Sequence, residues 1–155
     1  MKWLGIAGIT FGTDYAIKRY LERKRKVTDE PKELFEGKVL VRRHTNEGGA
    51  MDRLIGRPKL VRNLSAAAFG GIVGSFLHVV GKPGRTLQKL GLALMLGGGA
   101  SNFYDRCTRD GVTDYLSVVP KKDSWVKNVI FNLADVAIFG GLFFTIIGIL
   151  FGKKD

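Results

Sequence analysis

The sequence predicts an all-α membrane protein with four transmembrane helices and a small extramembrane β element in the first loop. Its 155 residues are enough for one domain and leave no room for a second core. The hydrophobic residues, 45% of the chain, are clustered in four segments. A helix needs about 20 residues to cross the hydrocarbon core of a bilayer, and these segments approach or reach that length. We therefore expect a single polytopic domain over residues 1–155.

The four segments predict helices over residues 3–20, 64–80, 87–105 and 129–151. The fourth is the most apolar, with only Asn132 and Asp135 as strongly polar residues. The first follows Lys2 as the core of a signal peptide would. Three further apolar segments come after it, and no small-residue cleavage site is evident, so we expect it to be retained as a helix.

Small residues four positions apart recur inside these segments and predict close packing between helices. The pairs are Gly8 with Gly12, Gly70 with Gly74, and Gly71 with Ser75. Because lipid provides no hydrophobic drive between helices, a bundle is held together by such close approaches.

The first connection, residues 21–63, is polar and strongly charged. The pattern around Val39 and Val41 within 38–44 predicts a short strand, and Asn46, Gly48 and Gly49 predict the turn after it. Since a loop of this length is rarely structureless in a compact protein, we expect a small sheet at the membrane surface.

The formal charge of +11 implies an anionic partner, either nucleic acid or the phosphates of a membrane surface. In the basic run at 19–26 no aromatic or glycine-spaced recognition element of a nucleic-acid-binding protein is apparent, so we expect anionic membrane lipids and no nucleic acid. The single cysteine, Cys107, excludes an internal disulfide. No cofactor motif and no metal-ligand cluster is present in the sequence, and we expect neither.

Aspartates inside apolar segments are the strongest indication of chemistry. A carboxylate within a membrane costs several kcal/mol unless it is paired, neutral or facing water, so each one is a functional hypothesis. Asp14, Asp105 and Asp135 lie in or at the ends of the segments, and Asp114 lies in the connection between the third and fourth. Two buried carboxylates close together share one proton near neutral pH, which suits acid–base hydrolysis.

The surroundings of these aspartates contain four ordered motifs. The first is Asn102-x-x-Asp105-Arg106, after a glycine-rich segment and followed by Val112-x-Asp114. The second is Phe131-Asn132-x-Ala134-Asp135. Two weaker motifs precede them, Asp14-x-x-x-Lys18 and Asn46-x-Gly48. In this order, and spread over most of the chain, the set resembles the lipoprotein signal peptidase (signal peptidase II) family.

The resemblance implies an intramembrane aspartic endopeptidase that removes the signal peptide from diacylglyceryl-modified prolipoproteins. Asp114 and Asp135 are the implied catalytic dyad. The implied substrate-binding or supporting residues are Asn46, Gly48, Asn102, Arg106 and Asn132. It further implies four helices in the bacterial cell membrane, with the active site toward the outer face, and we expect a monomer.

Simpler interpretations remain open for several of these residues. Asp14 and Lys18, at positions i and i+4, also fit an intrahelical ion pair, and Asp105 with Arg106 fits a structural pair at a helix end. We therefore treat Asp14, Lys18 and Asp105 as structural candidates.

The sequence departs from the family pattern at several positions. Ser101 stands where glycine is usual, and Tyr115 replaces the common phenylalanine after the first dyad aspartate. Met51-Asp52-Arg53 follows the Asn46-x-Gly48 motif, where the family has an apolar run. Because the loop is also unusually basic, these departures bear mainly on substrate preference.

One alternative function remains open from the sequence. An inactive relative that binds lipidated peptides without cutting them would keep the same motifs.

The distribution of charge opposes the implied orientation in the membrane. The first and third connections carry 14 and 5 Lys and Arg residues against 6 on the opposite side. The positive-inside rule alone would place the motif-bearing loops in the cytoplasm.

Overall fold

The computed structural model describes residues 1–47, 54, 56–109, 111–119 and 129–152 as four long helices and a four-stranded sheet. The helices are α1 (Lys2–Lys24), α2 (Pro58–Val80), α3 (Thr86–Arg109) and α4 (Leu133–Phe151). The strands are β1 (Lys32–Leu34), β2 (Val39–Asn46), β3 (Val112–Val118) and β4 (Ile130–Phe131). The predicted mostly helical fold with a small β element is confirmed.

The helix boundaries differ from those expected. α1, α2 and α3 each extend beyond their apolar segments because polar residues continue the helix outside the hydrophobic run. α4 begins four residues later than expected, at Leu133, because Asn132 adopts an extended backbone and caps the helix instead of belonging to it. The expected loop at 21–63 is correspondingly shorter.

The sheet is larger than the first loop alone predicts. Its order is β1-β2-β3-β4, with every neighbouring pair antiparallel, so half of its strands come from the connection between α3 and α4. The strand expected at 38–44 corresponds to β2. Sequence analysis does not detect β3 because three of its first five side chains are polar or aromatic. The strand is nevertheless buried along almost its whole length.

α3 is the central helix and contacts α1, α2 and α4, the last most extensively. Near one end of the bundle Phe76 and Val79 of α2 pack on Leu92 and Ala93 of α3. Two helices, α2 and α4, are long and apolar enough to cross a membrane, among the residues that the structure describes. Few residues of these two helices are buried within the protein.

Glycines mediate the contact between α3 and α4, but they are not the ones expected. Around Gly8, Gly12, Gly70 and Gly74 an added Cβ would meet no atom of the described residues within 4 Å. At Gly141 of α4 it would meet Met95 Cγ at 2.7 Å and Met95 N at 3.0 Å. Spacing alone misidentified these positions because it does not show which face of a helix meets a neighbour.

Gly141→Ala should therefore destabilise the protein, while Gly140→Ala on the same helix should not. The added methyl at 141 would overlap α3, and overpacking of this kind costs about 1–3 kcal/mol. Nothing lies within 4 Å of the corresponding position at Gly140. Thermal unfolding in detergent should give a lower midpoint for Gly141→Ala alone. Equal midpoints for the two variants would contradict this packing.

Candidate active site

Asp114 lies in the middle of the sheet, where only 2% of it is exposed. An irregularity in the pairing of β2 and β3 between Val41 and His44 sets the register in which His44 faces Asp114. Asn46, two residues along β2, is then diagonal to Asp114, within reach of a side-chain contact. Its Nδ2 donates a hydrogen bond to Asp114 Oδ2 at 3.0 Å.

Asp135 lies in the first turn of α4 and forms a reciprocal cap with Asn132. The Asp135 backbone N–H donates to Asn132 Oδ1 at 2.9 Å, and Asn132 N–H donates to Asp135 Oδ2 at 3.1 Å. This capping box satisfies two backbone donors that the start of a helix otherwise leaves unpaired. It also fixes the rotamer of Asp135, whose second oxygen accepts from Asn102 Nδ2 at 2.8 Å.

The Asn132 amide group links the two aspartates. Its Nδ2 donates to Asp114 Oδ1 at 2.6 Å and to Asn102 Oδ1 at 3.2 Å. Asn132 is completely buried, so water does not compete for these bonds. The side chain that caps the helix of Asp135 therefore also holds the strand of Asp114.

Arg106 provides positive charge on the α3 side. Its Nη1 donates to the backbone oxygen of Asn102 at 3.4 Å, one turn earlier. Its guanidinium is electrostatically coupled to Asp135 and Asp114. Arg106 thus lies where it can offset negative charge at the two aspartates.

A second cluster lies behind these residues, around the fully buried ammonium group of Lys18. Lys18 Nζ is 2.7 Å from Asp14 Oδ2 and 3.0 Å from Asp105 Oδ2, and it donates to Asn102 Oδ1 at 2.8 Å. Because Asn102 Oδ1 accepts from Lys18, its amide nitrogen is directed at Asp135. The cluster therefore orients a side chain that contacts the candidate dyad.

The sheet contributes one titratable group to the candidate dyad, the carboxyl group of Asp114. Burial, and then the nearby charge of Asp135, raise its pKa to about 7, while hydrogen bonds from Asn46 and Asn132 act in the opposite direction. Near neutral pH this group can therefore hold or release a proton.

Comparisons with known proteins agree with the ordered motifs. The family model described as "Signal peptidase (SPase) II" matches residues 6–151. The chain belongs to this family. A lipoprotein signal peptidase of Bacillus velezensis is 35% identical over 113 residues, covering 72% of this chain and 71% of that protein. One from Lactobacillus johnsonii is 32% identical over 143 residues, covering 92% and 88%.

Two solved structures share the fold. One, described as a bacterial membrane enzyme at 2.3 Å resolution, aligns with a TM-score of 0.82 at 21% identity, covering 96% of this chain and 87% of that one. Another, at 1.9 Å, gives 0.81 at 21% identity, covering 97% and 93%. These likenesses show the fold. The family match and the two apolar helices indicate a bacterial membrane protein.

The predicted site residues come together from α1, β2, α3, β3 and α4, and from Asn132, which caps α4. The residues that lie around the two aspartates or in the cluster behind them are Asp14, Lys18, Asn46, Asn102, Asp105, Arg106, Asp114, Asn132 and Asp135. Gly48 lies outside the described residues. The ion pair of Asp14 with Lys18 is present, but it is part of a larger network.

Sequence analysis gave no role to Ser101 and Tyr115, which it noted only as departures from the family pattern. Both hydroxyl groups donate to Asp14, at 2.6 and 3.0 Å. The signal was their polarity at positions where the signal peptidase II pattern is apolar. Among the described residues, no group of three or more His, Cys, Asp and Glu side chains could hold a metal ion.

Lys18→Met should strongly destabilise the protein. The change leaves Asp14 and Asp105 buried without their shared cation, and breaking a buried ion pair in this way costs about 3–5 kcal/mol. Unfolding midpoints in detergent measure the loss, with Lys24→Met, at the exposed end of the same helix, as the control. Combining Lys18→Met with Asp14→Asn and Asp105→Asn should recover part of it. Equal stability of the two lysine variants would refute the role of Lys18.

The pH dependence of stability should contain a contribution from Asp114. A carboxyl group whose pKa is raised in the folded state contributes fully to stability at pH values below its pKa in the unfolded state. That contribution is lost as the pH rises toward its pKa in the folded state. For Asp114 the window runs from the usual 3.8 up to about 7. The midpoint of Asp114→Asn relative to the parent should therefore increase between pH 4.5 and 7.5. Glu33→Gln, at an exposed strand position, should show no such trend.

Proposed function

We propose that this protein is an intramembrane aspartic endopeptidase that removes the signal peptide from diacylglyceryl-modified prolipoproteins, cutting before the lipidated cysteine. Family membership supports a lipoprotein signal peptidase, and the geometry of the two aspartates supports the aspartic mechanism. The observation that carries the proposal is the Asn132 amide. It is hydrogen-bonded to Asp114 and caps the helix that bears Asp135, so the two carboxyl groups belong to one rigid arrangement.

In the proposed mechanism Asp114 and Asp135 share one proton. The ionised member takes a proton from water, and the water oxygen attacks the scissile carbonyl carbon. The neutral member donates a hydrogen bond to the oxyanion that forms, and the pair then supplies a proton to the leaving amine. Protons belong to the coupled pair, so the mechanism fixes no separate base and acid.

The surrounding residues have proposed supporting roles. Asn102 and Asn132 orient the dyad, and Arg106 offsets negative charge beside it. Asn46 holds Asp114, and its Oδ1 is a buried acceptor without a hydrogen-bond partner among the described residues, which suits it to receive a substrate N–H. We include Gly48 with this group on the family motif alone.

We further propose that all four helices cross the bacterial cell membrane as one domain over residues 1–155. α1 and α3 contain charged residues, which lowers their hydropathy, but Asp14, Lys18 and Asp105 are fully buried inside the bundle. These charged groups are therefore paired inside the protein and do not contact lipid.

The proposed orientation puts the sheet and the dyad at the outer face, against the count of basic residues. Part of that basic charge is bound within folded structure. Arg43 donates to backbone oxygens of Glu22 and Arg25, and Arg109 pairs with Glu22 and Asp105. The exposed remainder at the end of α1 supports anionic membrane lipids as partners, alongside prolipoprotein substrates. We propose a monomer that needs no cofactor.

Asp114→Asn and Asp135→Asn should each reduce cleavage of a diacylglyceryl-modified prolipoprotein by at least about 100-fold, since each removes acid–base capacity while keeping side-chain shape. The double variant should be no slower than either single one, because the two groups act as a unit. The measurement is initial rate in detergent, with the unfolding midpoint recorded for every variant.

Asp29→Asn, which changes an exposed aspartate outside the site, is the matched control and should cleave at the parental rate. Substantial turnover by either dyad variant would exclude the proposed mechanism. A folded parent protein that binds the lipidated peptide without cutting it would instead identify the inactive relative.

A further inference from the structure

The two hydroxyl groups that depart from the family pattern meet at the same carboxylate. Ser101 Oγ donates to Asp14 Oδ2 and Tyr115 Oη donates to Asp14 Oδ1. Asp14 Oδ2 also binds Lys18, and Oδ1 also accepts from the backbone N–H of Ala134 at 3.1 Å. Both oxygens of Asp14 are thus fully occupied, and its orientation is fixed.

The Tyr115 hydroxyl has a second contact, at the start of α4. The backbone N–H of Leu133, the first residue of the helix, donates to Tyr115 Oη at 3.1 Å. A helix begins with amide groups that have no partner within it. Here three consecutive ones are satisfied from different sources: Leu133 by Tyr115, Ala134 by Asp14, and Asp135 by Asn132.

Tyr115 also directly follows Asp114 on β3. Only 3% of Tyr115 is exposed, and its hydroxyl lies between Asp14 on α1 and the first turn of α4. One side chain therefore connects the strand that carries Asp114 with the helix turn that carries Asp135. Burial, and then the charge of Asp14, raise the pKa of Tyr115 well above its usual range, so the group stays a neutral donor.

We propose that Tyr115 is a positioning residue of the dyad, whose hydroxyl group fixes the start of α4, and with it Asp135, relative to Asp114. This inference rests on the proposed function and extends it to a residue that contacts neither carboxyl group of the dyad. Asp14 serves as the anchor through which the hydroxyl acts, and Ser101 holds that anchor from α3.

Tyr115→Phe tests the role, because it removes one oxygen atom and keeps the ring. A lost hydrogen bond to a charged group of this kind corresponds to about a tenfold effect or more. We expect kcat to fall about tenfold with KM changed by less than about twofold, since the contact acts on the dyad and not on bound substrate. Tyr20→Phe, at an exposed position on α1, is the matched control and should leave both constants unchanged.

The pH profile distinguishes positioning from a purely structural effect. The charged groups that act on Asp114 are Asp135 of α4, Arg106 of α3 and Lys18 of α1, and His44 is its partner across β2. If the start of α4 moves away, Asp135 raises the pKa of Asp114 less. The alkaline limb of kcat against pH should then shift to lower pH in Tyr115→Phe, but not in Tyr20→Phe.

Hydrogen exchange provides a readout that needs no activity. In intact protein in detergent, amide exchange in a peptide covering residues 131–138 should be faster in Tyr115→Phe than in the parent or in Tyr20→Phe. Unchanged exchange would overturn the contact. Faster exchange with parental kcat, or a lower kcat without the shift of the alkaline limb, would overturn the positioning role. Failure of Asp114→Asn to lose activity would instead reject the proposed function itself.

Discussion

The ammonium group of Lys18 lies between the carboxylates of Asp14 and Asp105 in a place that water does not reach. Without that cation, two like charges would be buried in the bundle, at a cost that a domain of ordinary stability does not tolerate. With it, α1 and α3 are joined at a fixed register. The same ammonium group also hydrogen-bonds Asn102, which in turn donates to Asp135, so the charge cluster orients a side chain of the candidate site.

Two amide side chains connect the Lys18 cluster with Asp114 and Asp135. Asn102 and Asn132 each accept and donate hydrogen bonds, so fixing one end of the side chain determines what the other end presents. They carry no charge, so they act on the two aspartates only through hydrogen bonds. The bond from Asn132 lowers the pKa of Asp114, but burial and the charge of Asp135 raise it by more.

Helix packing and site geometry are linked through α3 and α4. Gly98 of α3 lies so close to α4 that an added Cβ would be 2.5 Å from the backbone oxygen of Ala134, one residue before Asp135. This close approach thus sets the distance between Asn102, one turn further along α3, and the start of α4.

The sequence alone determined that four helical segments exist, that a strand lies near 38–44, and which polar residues gather around Asp114 and Asp135. These follow from local information: apolar runs have the length of a helix, alternation has the period of a strand, and ordered motifs indicate a family. It did not determine β3 and β4, because β3 is stabilised by pairing with β2, and β4 by pairing with β3. It assigned helix contacts to Gly8 and Gly70, where an added Cβ would meet no atom of the described residues within 4 Å, because spacing does not show which helix face is covered. The links from Ser101 and Tyr115 to Asp14 join residues that are 87 and 101 positions apart in the chain. Only the tertiary structure decided them, since a hydrogen bond depends on the positions of both partners.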